Sequence, residues 1–533
     1  MKSYIKNMSR AAMLIAAMAT TSCVGDLDVT PIDPDVNTAD KALNSPEAMA
    51  QALSKIYAGF AVTGNIGPAG SGDVAGVDEG ESSYWRLWFV AQEFPTDEAI
   101  NGWGDKDLPT LSQVSWTADN SFSRAFYYRS LYQVTLANEF IRQAAVYGAE
   151  YADTDRQVGE ARFLRALAYY HALDMFGNKV PNIEQDKGVG AWLPQPWGQS
   201  ERGPELFDFI ESELMAAIEA LPTAAEAFVG QANKDAAKMT LAKLYLNHAV
   251  YRGQEDVAYY QKGKTMVDEV IANGSFDLMD ADDVAGTDAY SPYEFNFLAD
   301  NHTSNEIIFA ISQDGNYSRT YGGTTFIINA ATGANKDAMG GGAWYGTRTT
   351  KALVNLFDAD DARALWFTEG HNLEITDQSL FTEGYAVEKF KNMKRDGSKG
   401  DNASAEFADT DVPVYRLADA YLMAAELDIR INGSVSATSL DMVNELRARA
   451  GVTAVTSMDL DFILDERARE LYWEAHRRTD LIRFGKFTGG EYVWPLKGNS
   501  LPDGGSVSAH YELMPIPPSD LNANPNLSQN AGY

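Results

Sequence analysis

The stretch TDRQVGEARFLRALAYYHALDMF, Thr154 to Phe176, decides the fold class. Its apolar and small residues recur every three or four positions, through Ala161, Leu164, Ala168, His171 and Met175, and this spacing predicts a helix with Arg162 and Arg165 on other faces. Just upstream, Ser121 to Tyr147 shows the same period, and the short link between the two predicts an antiparallel helix pair. Working outward, Ser45–Phe60, Pro204–Leu221, Lys234–Tyr251 and Val257–Ala272 also read as helices, with Gly253 and Gly274 as breaks. Helix pairs without strands between them are the pattern of tetratricopeptide-like solenoids, although the textual repeat here is weak. From about 276 to 402 glycine and aromatic residues rise and short strand-like runs appear, Glu306–Ser312 and Thr324–Asn329, so this region is expected to be loop-rich. Helical spacing returns at Pro413–Ile431, Ser439–Ala450 and Asp459–Arg478, and the proline-rich last forty residues read as coil. The expected architecture is mainly α: helix pairs over about 41–275, the irregular region, then helices and coil over 403–533, in one domain spanning 41–533.

The start of the chain reads as an address. Lys2, Lys6 and Arg10 precede a small-residue apolar core, Ala11 to Ala19, and then Thr20, Thr21 and Ser22 lead to Cys23, the only cysteine. A basic start, a short apolar core and small residues form a secretory signal peptide, here residues 1–22, and the core is too short to span a bilayer. Cys23 is then the lipidation site of a bacterial lipoprotein, and with no second cysteine the chain forms no internal disulfide. Residues 23–40, with Asp26, Asp28, Pro31, Asp33, Pro34 and Asp35, form an acidic, extended tether. The chain holds 43 basic and 75 acidic residues, a net charge of −32, which repels nucleic acid and anionic lipid heads. Its 45% hydrophobic and 11% aromatic content is that of a folded chain.

Catalytic signatures are sparse. The six histidines, at 171, 248, 302, 371, 476 and 510, are too far apart in sequence for a helical metal site, so no metal centre is expected. Gly263-Lys264-Thr265 lacks the first glycine of a phosphate loop, since Ala258 stands there, and no nucleophile elbow occurs. A glycosidase needs only two carboxylates placed across a sugar, so the acidic residues leave that reading open. The chain does offer aromatic rings near glycines: Tyr84, Trp85, Trp88, Trp103, Tyr317, Tyr321, Trp344 and Tyr345. Rings on loops beside polar side chains suit sugars, whose apolar faces stack while their hydroxyls are hydrogen-bonded. The competing reading packs these rings into the body.

Several segments together resemble the SusD/RagB family of outer-membrane nutrient-binding lipoproteins. They are Glu160–Ala166 with Met175–Gly177, Asp411–Tyr421, Glu466–Leu471, Arg477–Gly485 and the closing Pro515-Ile516-Pro517. Asp78–Ser82 with Arg86, Glu93–Glu98, Asp314-Gly315, Tyr321–Thr324 and Trp344 are similar to the starch-binding branch of that family. The resemblance implies a SusD-like fold and an arc of rings matching the curve of an α-1,4-glucan, with arginine and asparagine contacting hydroxyls. Carried over by position, Arg86, Trp103, Tyr321 and Trp344 fall in the site. Asn101 stands where the arc has its first tryptophan, and the asparagine contact falls on Asp105 or Lys106. The resemblance also implies no catalysis, a SusC-like TonB-dependent transporter as partner, and a lipid-anchored place on the outer membrane facing outward. No cofactor is expected beyond a structural calcium ion, for which Asp300 and Asp411 are the candidate ligands. The implied role is capture of starch, maltodextrin or pullulan oligosaccharides for that transporter. The alternatives are another glycan, a peptide, or glycoside hydrolysis.

Overall fold

The computed structural model describes residues 43–533 apart from 69, 79, 106, 184–186, 188–191, 284–288 and 403–406. The leader, Cys23, the tether and Lys106 lie outside the described residues. The longer helices are α1 (Pro46–Ala61), α2 (Tyr84–Glu93), α3 (Ser121–Tyr147), α4 (Thr154–Phe176), α5 (Glu205–Ala220), α6 (Lys234–Leu246), α7 (Val257–Ala272), α8 (Gly323–Ala331), α9 (Leu417–Asn432), α10 (Ala437–Arg449), α11 (Leu460–Leu471) and α12 (Arg477–Arg483). Short strands β1 (Ile100–Asn101), β2 (Ile307–Ile311), β3 (Thr347–Arg348), β4 (Trp366–Phe367), β5 (Ala386–Val387) and β6 (Val412–Arg416) form three antiparallel two-stranded ladders, β1–β3, β2–β6 and β4–β5.

Local chemistry sets the helix starts. Ser45 accepts the Ala48 N–H ahead of Pro46, and Asn120, Asn233 and Asp459 cap α3, α6 and α11 in the same way. From α3 to α7 each helix packs on the next, and α7 lies against α9, which carries α10 and α11. One hydrophobic core runs from Leu43 to Ile516. The mainly α architecture with few short strands is thus the one expected. Helix α4 is nearly all buried, and its Arg165 is enclosed: it donates from Nε to Glu213 (2.9 Å) and from Nη1 to Asn138 (2.6 Å). Arg162, half-exposed, reaches the other oxygen of Glu213 at 2.6 Å, so the two arginines tie α4 to α5.

Several local expectations are corrected. Pro413–Ile431, expected as one helix, opens as strand β6 (Val412–Arg416), and α9 starts only at Leu417. Thr324–Asn329 is helix, the middle of α8, because the segment is buried on every side and its β-branched run therefore shows no period that separates helix from strand. Helix α2 escaped notice for the same reason: all its residues are buried. Asp459–Arg478 is two helices, since Trp473 and Ala475 between them adopt left-handed backbone (φ 65° and 63°). That turn is held from afar: Trp473 N–H donates to Glu98 (3.0 Å) and Ala475 N–H to Glu93 (2.6 Å).

Charged side chains also fill the core. Arg416, at the end of β6, donates to Glu306 (2.8 Å), to Glu470 (2.7 Å) and from both Nε and Nη2 to Glu474 (2.7 and 2.8 Å). Arg449 bridges Glu306 and Glu470, Arg363 joins Glu470 to Glu466, and Lys389 donates to Glu474. Burial alone would raise the Glu470 carboxyl, but Arg449, Arg416 and Arg363 hold it well below the usual carboxylate range.

Candidate binding face

Helices α2 and α8 start side by side and carry the first half of the face. A Cβ at Gly322 would lie 2.1 Å from the Ser83 Cβ, so a glycine lets the start of α8 approach the start of α2. This places Tyr321 beside Arg86, whose Nη1 donates to the Tyr321 carbonyl at 3.5 Å. The Arg86 guanidinium lies over the ring of Phe326 in α8, 4.3 Å from its centroid, with Glu81 4.0 Å from Nη2. Trp103 meets the same Phe326 ring edge-on at 6.0 Å and 70°.

The loop bearing Trp103 is fixed by the β1–β3 ladder, in which Asn101 faces Thr347. Asn101 is fully buried: its amide donates to Thr347 Oγ1 (2.9 Å) and its Oδ1 accepts the Trp103 N–H (2.8 Å). The expectation that Asn101 contacts ligand is therefore corrected; both ends of its amide are spent on setting the Trp103 loop. Gly346 (φ 110°) closes over the indole, since a Cβ there would stand 2.3 Å from Trp103 Nε1. Trp344 hangs from the end of α8, its N–H donating to the Asn329 carbonyl at 3.0 Å, and its ring lies 6.1 Å from that of Tyr321 at 52°. Tyr321 also packs on Phe407 at 5.2 Å.

The structure thus brings Arg86, Trp103, Tyr321 and Trp344 around one helix, with the three rings half-exposed. Asp105 is exposed on the Trp103 loop, close enough to act on Glu81. The Glu81 carboxyl is raised by burial; Arg86 opposes this while Asp78 and Asp105 add to it. Glu81, within the Asp78–Arg86 segment singled out above, stands beside Arg86 at this face, although no separate signal in the sequence marks it. Tyr84, Trp85 and Trp88 are not surface rings: they are buried in α2, where the Trp88 ring stacks on His171 at 3.9 Å. Tyr317, by contrast, is 92% exposed.

Asp300 and Asp411 fit a shared calcium ion poorly. Arg395 donates to both Asp300 oxygens, from N at 3.1 Å and Nε at 3.3 Å, while Asp411 accepts the Gln313 N–H at 2.7 Å. Among the described residues no cluster of three or more His, Cys, Asp or Glu is placed to hold a metal ion, and no helix is long and apolar enough to cross a membrane.

Two family models match the chain: the SusD family over residues 366–533, and the family described as starch-binding associating with outer membrane over 41–246. The starch-binding protein SusD of Bacteroides thetaiotaomicron is 34% identical across 99% of both chains. This chain belongs to the SusD family. Solved structures agree on the fold. Surface glycan-binding protein A from Bacteroides uniformis aligns with a TM-score of 0.70 at 19% identity, over 91% of this chain and 100% of that one. Its counterpart from Bacteroides thetaiotaomicron, solved in complex with laminarihexaose, gives 0.66 at 18% identity over 91% and 99%.

Proposed function

We propose that this protein is a surface glycan-binding lipoprotein that holds α-glucan oligosaccharides and passes them to a SusC-like TonB-dependent transporter in the outer membrane, without cleaving them. The observation carrying this reading is the grouping of Trp103, Tyr321 and Trp344 as half-exposed rings beside Arg86. Sugar faces stack on the rings, and Arg86, Glu81 and Asp105 supply a donor and acceptors for hydroxyls. The rings stand on backbone fixed by ladder and helix-end hydrogen bonds, so little ordering cost is left for binding.

Replacing Trp103, Tyr321 and Trp344 together by alanine is expected to abolish retardation of the protein in an amylopectin gel. Mobility in that gel unchanged from the parent would sink the site assignment. Incubation of the purified protein with starch is expected to release no reducing sugar. A different glycan is the second reading, supported by the buried Asn101 where a ring was implied; calorimetry against maltoheptaose and laminarihexaose separates the two.

Cys23 anchors the body under this reading. Changing Cys23 to alanine is expected to move the protein out of the membrane fraction and leave its gel retardation intact. Retention in the membrane fraction would refute the anchor.

A further inference from the structure

The residue after Trp344 carries a second aromatic feature that the arc does not use. Tyr345 is 44% exposed and Phe381 36%, and their rings lie 6.3 Å apart within 13° of parallel. Two large rings exposed side by side offer a flat apolar surface to a ligand. They are also held rigidly. Tyr345 sits at φ 57°, its N–H donates to the Thr332 carbonyl at 3.0 Å, and its ring lies on Gly333, where a Cβ would come within 2.4 Å of it. The Phe381 loop is knitted by Glu383, which accepts N–H groups of Thr376 (2.5 Å) and Asp377 (2.8 Å).

Buried Arg348 clamps the two loops together, donating to the carbonyls of Gly346 (2.6 Å), Gln378 (2.9 Å) and Glu383 (2.6 Å). Phe381 also meets the Trp103 loop, its Cε1 standing 2.9 Å from where a Cβ of Gly102 would be, and Gln378 donates to the Asn101 carbonyl at 2.8 Å. Phe381 meets Gly102 and the Trp103 indole lies against Gly346, next to Tyr345, so the pair stands beside the loop that carries Trp103.

We propose that Tyr345 and Phe381 form an added subsite that takes the further sugar units of a glucan chain already seated on Tyr321, Trp344 and Trp103. The proposal rests on the glucan-holding reading above. It supplies, from the 376–383 loop, the apolar platform that buried Asn101 does not provide. It also makes affinity depend on chain length: a short oligosaccharide is satisfied by the three-ring arc, and a long one gains the pair.

The test is calorimetry of the full soluble body with maltotriose and maltoheptaose, using the parent, the double variant Tyr345→Ala/Phe381→Ala, and the double variant Tyr345→Leu/Phe381→Leu, which keeps apolar bulk without rings. Both double variants are expected to bind maltoheptaose about tenfold more weakly while maltotriose stays within about twofold of the parent. Maltoheptaose binding unchanged in both overturns the subsite alone. Equal weakening for both sugars overturns it too, because the pair then acts by supporting Trp103. A parent protein that binds neither sugar overturns the subsite together with the reading beneath it.

Discussion

Replacing Arg416 by methionine is expected to remove 3–5 kcal/mol of folding stability, on the order of half of what a domain has. Methionine fills much of the space, so the loss is electrostatic. The Glu306, Glu470 and Glu474 carboxylates, all buried, each lose a partner. Arg449 still faces Glu306 and Glu470, and Lys389 still faces Glu474, so the fold survives at low denaturant. Lysine at 416 is expected to recover only part of the loss, since a single ammonium does not reproduce the forked contacts to Glu474 and to the Glu470 carbonyl. Urea unfolding followed by tryptophan fluorescence measures this. A midpoint equal to the parent's would show that the network is dispensable.

The second large effect is a dependence on pH. Burial pushes the Glu98 carboxyl up to about 7 against the pull of Arg477, and burial beside Glu98 raises Glu93 well above its usual value. In the unfolded chain a glutamate releases its proton near pH 4.5, whereas folded Glu98 keeps it until about pH 7. The folded state therefore binds more protons across that window, and stability falls as pH rises through it. Asp411, also pushed to about 7 by burial, acts in the same sense. Glu470, Glu306 and Glu426, held low by arginines despite burial, act oppositely: their contribution is complete above the unfolded value near 4.5 and is lost in acid. The urea midpoint is expected to peak near pH 5 and to fall from there toward pH 8. Glu98→Gln keeps an acceptor for the Trp473 N–H and removes the titrating carboxyl, and should flatten the decline. A variant whose profile parallels the parent's from pH 4 to 8 would assign the decline to other groups.

The segments that made the family legible are largely those of the buried network. Asp411–Tyr421 contains Arg416, Glu466–Leu471 contains Glu466, Arg467 and Glu470, and Arg477–Gly485 contains Asp480 and Arg483. Charges at such positions read as surface in a sequence and are core in the structure. The longer helices were readable from the spacing of their apolar residues, even the largely buried α4, whereas the short α2 and α8, enclosed on all sides, had no period to show. The rings themselves were legible as aromatics near glycines, but their grouping with Arg86 was legible only by resemblance, because the parts come from residues 81–105, 321 and 344 and meet through loops that carry no period. Resemblance also could not tell that Asn101 points inward, a fact set by its ladder partner Thr347 far along the chain.

The left-handed turn at Trp473 and Ala475 bears on the order in which the protein is made. Its backbone meets Glu98 and Glu93 across separations of 375 and 382 residues, and Arg477 reaches Asp97 across 380. Successive helices from α3 to α7 can settle on one another as they leave the ribosome or the export channel. The Trp103 loop cannot: its root waits for a segment 375 residues further along the chain, and that closure is slow because the intervening chain must first be brought together. A nascent chain that has not yet reached Trp473 therefore lacks the contacts that root the Trp103 loop, and the face at Trp103 forms later than the helical stack.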